Sequence, residues 1–253
     1  VREGLVTIKL DEHGKSGVLV EVNCETDFVA KEGEFVDFVD EIAMLVLEGE
    51  PRDVEALSTM QVGGKSVEAK RRRLVAKIGE NIAIRRFSRL NAGDGSLGHY
   101  VHGGRIAVIV GINGGDPQVA KDVAMHVSWS QPMCLSEADV PSETLEKEKS
   151  ILRAQAEESG KPADIVEKML TGRLKKFLKE VTLLGQPFVK DTDVSVGKYL
   201  ANANAEVSGF IRYEVGEGIE KKLIAFLSRH EVGFNGTFLG GIREFLEEFF
   251  ALE

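Results

Sequence analysis

One pattern occurs twice in this chain, and that repetition constrains the fold more than anything else. The first copy reads Val18-Leu19-Val20-Glu21-Val22-Asn23, then a loop, then Glu41-Ile42-Ala43-Met44-Leu45-Val46. The second reads Ile106-Ala107-Val108-Ile109-Val110-Gly111-Ile112-Asn113, a loop, then Asp122-Val123-Ala124-Met125-His126-Val127. Each opens as a strand rich in β-branched residues, ends it at Asn, and enters a helix of the same apolar phase. A third matching piece follows each copy: Ile84-Arg85-Arg86-Phe87 in the first and Ile211-Arg212-Tyr213-Glu214 in the second.

Each copy therefore predicts a hairpin, a helix across one face and a later strand that closes the sheet. The hairpins pair Leu5–Leu10 with Gly17–Val22, and Leu97–Val101 with Arg105–Ile112. Glu12-His13-Gly14-Lys15 and His102-Gly103-Gly104 supply the turns. The fold class is α+β: two related subdomains, each a small antiparallel sheet with helices on one face. The expected boundaries are 1–94 for the first and 95–222 for the second, with a C-terminal helical tail over 223–253.

The copies differ in their loops. Asn23 to Ile42 is 19 positions, whereas Asn113 to Val123 is 10, so the first copy holds about nine extra residues. They coincide with Glu25-Thr26-Asp27-Phe28-Val29-Ala30-Lys31. The fold is made once without this insertion, and extra loop residues on a rigid scaffold are more often functional than structural. A buried strand has no use for Asn23, Glu25, Thr26 and Asp27. A solvent loop has no use for Phe28 unless a partner comes to meet it. The alternative is that Phe28 folds back on the helix beginning near Phe35 while Asp27 caps that helix. The residues alone leave both open.

The second copy has a larger insertion, at about 141–182, charged and helical in phase. Ser142 predicts an N-cap, and Gly160 with Pro162 ends one helix and starts the next. Val166, Leu170, Leu174, Phe177 and Val181 then form a stripe at spacings of three and four. Two such helices make a protruding antiparallel hairpin.

Other signals are weaker. A net charge of −9 argues against nucleic-acid binding, which needs a basic face. The longest apolar stretches, such as Ile106–Ile112, are too short to span a bilayer. No secretory leader is read at the start, Val1. Cys24 and Cys134 lie far apart and follow no metal spacing. The histidines, at 13, 99, 102, 126 and 230, make no ligand pattern, and no metal or cofactor is expected. Gly111-Ile112-Asn113-Gly114-Gly115-Asp116 lacks the spacing of a phosphate loop and reads as a tight connection that caps a helix. Lys70-Arg71-Arg72-Arg73 reads as a solvated helix face beside Leu74, Val75 and Ile78.

Glu21 to Lys31 closely resembles the signature of the elongation factor Ts family, the exchange factors for the translational GTPase elongation factor Tu. The resemblance continues through Val75-Ala76-Lys77-Ile78-Gly79-Glu80-Asn81, His99-Tyr100-Val101-His102-Gly103-Gly104-Arg105-Ile106 and Ala124-Met125-His126-Val127. It resumes at Gly160-Lys161-Pro162, Gln186-Pro187-Phe188-Val189 and Arg212 to Glu220, so roughly residues 3 to 221 are covered in order.

The resemblance implies two related α+β subdomains with a projecting helical hairpin. It implies a guanine-nucleotide exchange factor rather than an enzyme, without cofactor or metal, acting on elongation factor Tu in a bacterial cytoplasm or an organellar matrix or stroma. By the same implication Asp27 and Phe28 insert near the GTPase's nucleotide-bound magnesium, and Ile78, Gly79 and His102 are further contacts. A non-exchanging protein-interaction scaffold, or a fragment of the same family, is the main alternative. An RNA-binding module would want paired aromatics on the central strands, which Val18–Val22 and Ile106–Ile112 lack.

The family's small N-terminal helical domain, with its Thr-Gly-Ala-Gly-Met-type motif, is not among these 253 residues. The resemblance also leaves 223–253 unaccounted for. There Ile242, Phe245, Leu246, Phe249, Phe250 and Leu252 form a stripe that either docks on the chain's own core or supports self-association.

Overall fold

The computed structural model describes residues 3–219 of the chain. The tail expected over 223–253, with its aromatic stripe and the self-association ascribed to it, lies outside the described residues. In chain order come strands β1 (Glu3–Leu10) and β2 (Ser16–Cys24), a one-turn helix α1 (Asp27–Ala30), and helices α2 (Gly33–Gly49) and α3 (Val54–Thr59). A two-residue hairpin pair, β3 (Gln61–Val62) and β4 (Lys65–Ser66), leads into α4 (Val67–Ile78). Strands β5 (Ala83–Asn91), β6 (Ser96–His102) and β7 (Ile106–Gly114) precede α5 (Pro117–Ser130). Helices α6 (Ser142–Glu157) and α7 (Ala163–Val181) follow, then β8 (Pro187–Phe188), β9 (Asp191–Ser195), α8 (Val196–Asn202) and β10 (Ala205–Glu214).

The repeat becomes two antiparallel three-stranded sheets of matching order, β1-β2-β5 and β6-β7-β10, with β2 and β7 at their centres. Val18, Val20 and Val22 face α2, where Phe35, Phe38, Val39, Ile42 and Val46 cover them. Val108, Val110 and Ile112 are likewise covered by Val119, Val123 and Val127 of α5. The intervening residues Leu19, Ala107 and Ile109 pack together with Val6 and Tyr213 in a layer between the sheets. Both faces of β2 and β7 are thus buried, which is why each reads as a near-continuous apolar run, interrupted in β2 by Glu21, rather than an alternation.

Both sheets carry a bulge at the same place, with the extra residue, Arg85 in β5 and Ser208 in β10, on the strand that pairs with the central one. The register of β2 on β5 shifts between Glu21 and Val22, and that of β7 on β10 shifts opposite Ile112 and Gly111, between Val207 and Gly209. This register corrects one equivalence drawn from sequence. Val22 faces Ile84, and the corresponding Ile112 faces Val207, so Val207 rather than Ile211 is the counterpart of Ile84. A slip of four residues leaves every side chain on its own face, so the apolar pattern is blind to it.

Helix α5 lies on β6 because Gly98 leaves room for it. A Cβ at that position would sit 2.4 Å from the Cβ of Ala120 and 2.8 Å from its carbonyl carbon. Gly98→Ala is therefore expected to cost about 1–3 kcal/mol through overpacking. A urea melt checks this; an unmoved midpoint would mean that the helix has slack. At the start of α5, Asp116 Oδ1 accepts the amides of Gln118 at 2.9 Å and Val119 at 3.2 Å, so the Gly-rich connection caps its helix as read.

The charged insertion forms the helical hairpin. Val166 and Leu170 are buried, Leu174, Phe177 and Val181 are half-buried, and Arg153 of α6 pairs with Glu167 of α7. Its base is tied down where Met133 N–H donates to Val181 O at 2.7 Å and Leu183 N–H to Cys134 O at 2.9 Å. Ser142 is the first helical residue and Pro141 occupies the cap, one residue earlier than expected. A proline there has no N–H to satisfy, and its fixed φ suits the entry to a helix.

Candidate functional site

The insertion of the first copy leaves β2 at Cys24 and turns at once into α1. Thr26 is the N-cap, its hydroxyl accepting the Val29 amide at 3.3 Å. Val29 and Ala30 are buried and anchor the turn, while Phe28 between them and the solvent is 80% exposed. Asp27 faces solvent and pairs with Lys31 at 3.0 Å, which holds its carboxyl below the usual carboxylate range. The folded-back arrangement does not occur. Thr26 caps α1, and α2, which starts at Gly33, has Glu32 at its N-cap position with no side-chain cap bond. A buried phenylalanine contributes roughly 1.5–3 kcal/mol, and this chain leaves that contribution unmade on its own surface.

The end of α4 meets this turn. Ile78 is half-buried, and Gly79 closes the helix in the left-handed region (φ 84°), its N–H donating to Val75 O at 2.8 Å. That reversal brings Glu80 under the insertion. Its Oε2 accepts the amides of Glu25 at 3.2 Å and Thr26 at 3.1 Å, and its Oε1 accepts the Thr26 hydroxyl at 2.7 Å. In return Glu25 Oε1 accepts the Asn81 amide at 2.9 Å. Lys77 of α4 also pairs with Glu34 of α2. Asp27 and Phe28 are thus brought together with Ile78 and Gly79, although some fifty residues of chain separate them.

His102 stands at the end of β6 within its own exposed aromatic group. The Tyr100 hydroxyl lies 3.2 Å from His102 Nδ1, and Trp129 of α5 meets the imidazole edge-on with centroids 5.6 Å apart. The turn after His102 is fastened to β1: Val6 N–H donates to Gly104 O at 2.8 Å, and Arg105 pairs with Glu3. Glu3 lies opposite Cys24 in the sheet, so this turn attaches at the end of the first sheet from which the Asp27–Phe28 segment leaves.

Sequence reasoning gave no role to Glu80 or Trp129. Trp129 carried a signal, being the single tryptophan of the chain and placed off the Val119–Val123–Val127 stripe. Glu80 carried none, since one carboxylate after a helix-ending glycine has no period.

The reactive side chains nearby are quiet. Cys24 is fully buried and burial pushes its thiol up to about 11, far from the depressed value that a nucleophile needs. His126 is also buried. Its Nδ1 accepts the Val189 amide at 3.1 Å, which leaves Nε2 to donate to Gln186 Oε1 at 2.9 Å, and burial lowers its pKa. Arg71 and Arg72 of the basic run pair with Glu68, and Lys70 pairs with Glu41. Among the described residues no three His, Cys, Asp or Glu side chains gather as a metal site would require.

Fold and site together define a class: α+β proteins in which a duplicated sheet supports an exposed acid–aromatic turn. A family model described as elongation factor TS matches residues 25–217. The chain is 56% identical over 220 residues to the elongation factor Ts of Alkalilimnicola ehrlichii and 55% identical over 221 to that of Thioalkalivibrio sulfidiphilus. It is 52% identical over 221 residues to that of Methylococcus capsulatus. Each match takes in 87% of this chain and 75% of the relative. The chain belongs to the elongation factor Ts family and is a translation elongation factor.

Proposed function

We propose that this chain is a guanine-nucleotide exchange factor for elongation factor Tu, and that it promotes GDP release by inserting the Asp27–Phe28 turn near the GTPase's magnesium site. The observation that carries the reading is the exposed Phe28 on a turn anchored by the buried Val29 and Ala30 on one side and by the half-buried, hydrogen-bonded Thr26 on the other. Such a side chain loses little freedom on entering a partner, so more of its burial is realised as affinity.

A translational GTPase holds its nucleotide through P-loop amides, a lysine and a magnesium ion bridging the phosphates. A nanomolar nucleotide is held by roughly 12 kcal/mol, so unaided release is slow. A factor that binds the nucleotide-free state better accelerates release, and by reciprocity fresh nucleotide expels the factor. Phe28 acts as a wedge against the magnesium-holding elements, and Asp27 supports the displaced arrangement. Ile78, Gly79 and His102 add contacts to the GTPase domain, and the helical hairpin reaches its other domains. No covalent step is involved. The reading places the chain where translation occurs, in a bacterial cytoplasm or an organellar matrix or stroma. Against an RNA-binding reading, both faces of β2 and β7 are covered and offer no platform for bases to stack on.

The test is release of labelled GDP from elongation factor Tu with and without this chain. The expected result is acceleration that saturates with the factor. A stable complex with no acceleration at saturation would leave the non-exchanging scaffold instead.

A further inference from the structure

We propose that Glu80 is a positioning residue for exchange: it holds the Asp27–Phe28 turn in the conformation that enters the GTPase. The inference rests on the exchange reading above and deepens it. Glu25 and Thr26 lie between the last strand residue, Cys24, and the first helical residue, Asp27. At such a junction the amides have neither a strand partner nor a helical acceptor, and each must find one elsewhere. Both find the same carboxylate oxygen, Glu80 Oε2, at 3.2 and 3.1 Å. The other oxygen accepts a hydrogen bond from the Thr26 hydroxyl at 2.7 Å, which leaves the Thr26 lone pairs turned towards the Val29 amide it caps.

One carboxylate therefore sets both the direction in which the chain leaves the sheet and the orientation of the cap from which α1 starts. Charge-assisted bonds to amides are the stronger kind. A helix of four residues is too short to hold itself together, because nucleation costs more than one turn returns. The orientation of Phe28 thus depends on Glu80, which itself makes no part of the exposed aromatic surface. The bond from the Asn81 amide to Glu25 Oε1 at 2.9 Å closes the clamp from the other side. It also gives Gly79 a reason beyond contact: its left-handed turn is what delivers Glu80.

The experiment compares the wild-type chain with Glu80→Ala, Glu80→Gln, Phe28→Ala and the Glu80→Ala/Phe28→Ala pair. Three quantities are read: the maximal rate of GDP release from elongation factor Tu, the melting temperature, and amide hydrogen exchange over residues 25–31. Glu80→Ala is expected to lower the maximal rate about tenfold, equivalent to ~1.4 kcal/mol, with the half-saturating concentration changed much less. Amides 25–31 lose protection and the melting temperature stays close to wild type. Glu80→Gln, which keeps a carbonyl oxygen for the two amides, recovers most of the rate. The pair is no slower than Phe28→Ala alone, because Glu80 acts only through Phe28.

Undiminished protection in Glu80→Ala, or losses that add in the pair, would overturn the proposal. Should the wild-type chain itself fail to accelerate release, the exchange reading falls. The protection data then decide the clamp by themselves: lost protection in Glu80→Ala upholds it and unchanged protection refutes it.

Discussion

Phe28→Ala is expected to slow factor-stimulated GDP release from elongation factor Tu by about 100-fold, while leaving the melting temperature of the free chain unchanged. The two halves of this result follow from one observation. Phe28 is 80% exposed, so its ring contributes little to the fold and its removal costs the free protein little. In a complex the same ring has a full aromatic surface to bury. Central aromatic anchors at interfaces lose about 2–4 kcal/mol on truncation, and the midpoint of that range is about two decades in rate or affinity. Asp27→Ala should fall well short of this, because Asp27 is a solvent-facing carboxylate already paired with Lys31. The measurement is nucleotide release under saturating factor, beside a thermal melt of each variant. A drop in melting temperature of Phe28→Ala as large as that of a core substitution would assign Phe28 to the fold and end the wedge reading.

How far this site was legible in the sequence depends on what kind of signal each residue carries. The central strands were legible because burial on both faces gives continuous apolar runs, and the insertion was legible because two copies of one pattern permit counting. The direction of Phe28 was not. An acid and an aromatic side by side fit a folded-back turn as well as a projecting one, and what decides between them is the capping of α1 by Thr26 rather than of α2 by Asp27. Glu80 was invisible for a related reason: its partners are 54 and 55 positions away, and only the left-handed Gly79 brings it to them. Periodicity reports what a residue does within its own element. It says nothing of a carboxylate that serves another element's unpaired amides.

Glu21 shows the same limit from the opposite side, and Glu21→Ala should have the largest effect on stability, a loss of about 3–5 kcal/mol. A carboxylate inside the run Val18–Val22 is plainly anomalous in sequence. Its compensation is mostly hidden there, because apart from Asn23 the partners are 64, 65 and 195 positions away. The side chain has no exposed surface. It accepts the Gly216 amide at 2.8 Å, Asn23 Nδ2 at 3.0 Å, Arg85 Nη1 at 3.0 Å and Arg86 Nε at 2.5 Å. Arg86 in turn lies over the Tyr213 ring, 3.9 Å from its centroid, and donates to Glu214 O at 3.1 Å. The alanine variant takes a shared acceptor from two partly buried guanidiniums and from a backbone amide, and the desolvation already spent on those groups is offset less fully.

Acid should reproduce part of this loss. Burial alone would raise the Glu21 pKa, but the bonds from Gly216, Asn23 and Arg86 outweigh it and hold the carboxyl below its ordinary 4.5. A group whose pKa is lower in the folded state stabilises the fold above its unfolded value, and that contribution disappears as pH falls through the folded value. Asp122, lowered with help from Lys190, Gln118 and Tyr199, and Glu68, lowered to about 2 by Arg71 and Arg72, act in the same acid range. The informative quantity is therefore the difference between wild type and Glu21→Gln, not the wild-type curve. In urea melts that difference should be full at neutral pH and shrink steadily below about pH 4.5, as the protonated carboxyl comes to resemble the amide. A gap that stays constant from neutral to acid pH would show that Glu21 matters for its shape and hydrogen bonds rather than its charge. A shrinking gap makes it an ionic tie from β2 to Arg85 and Arg86 of β5 within the first sheet, which carries the Phe28 turn, and Arg86 reaches on to Tyr213 and Glu214 of the strand that closes the second, so that the frame holding the wedge is set by charge as well as by apolar packing.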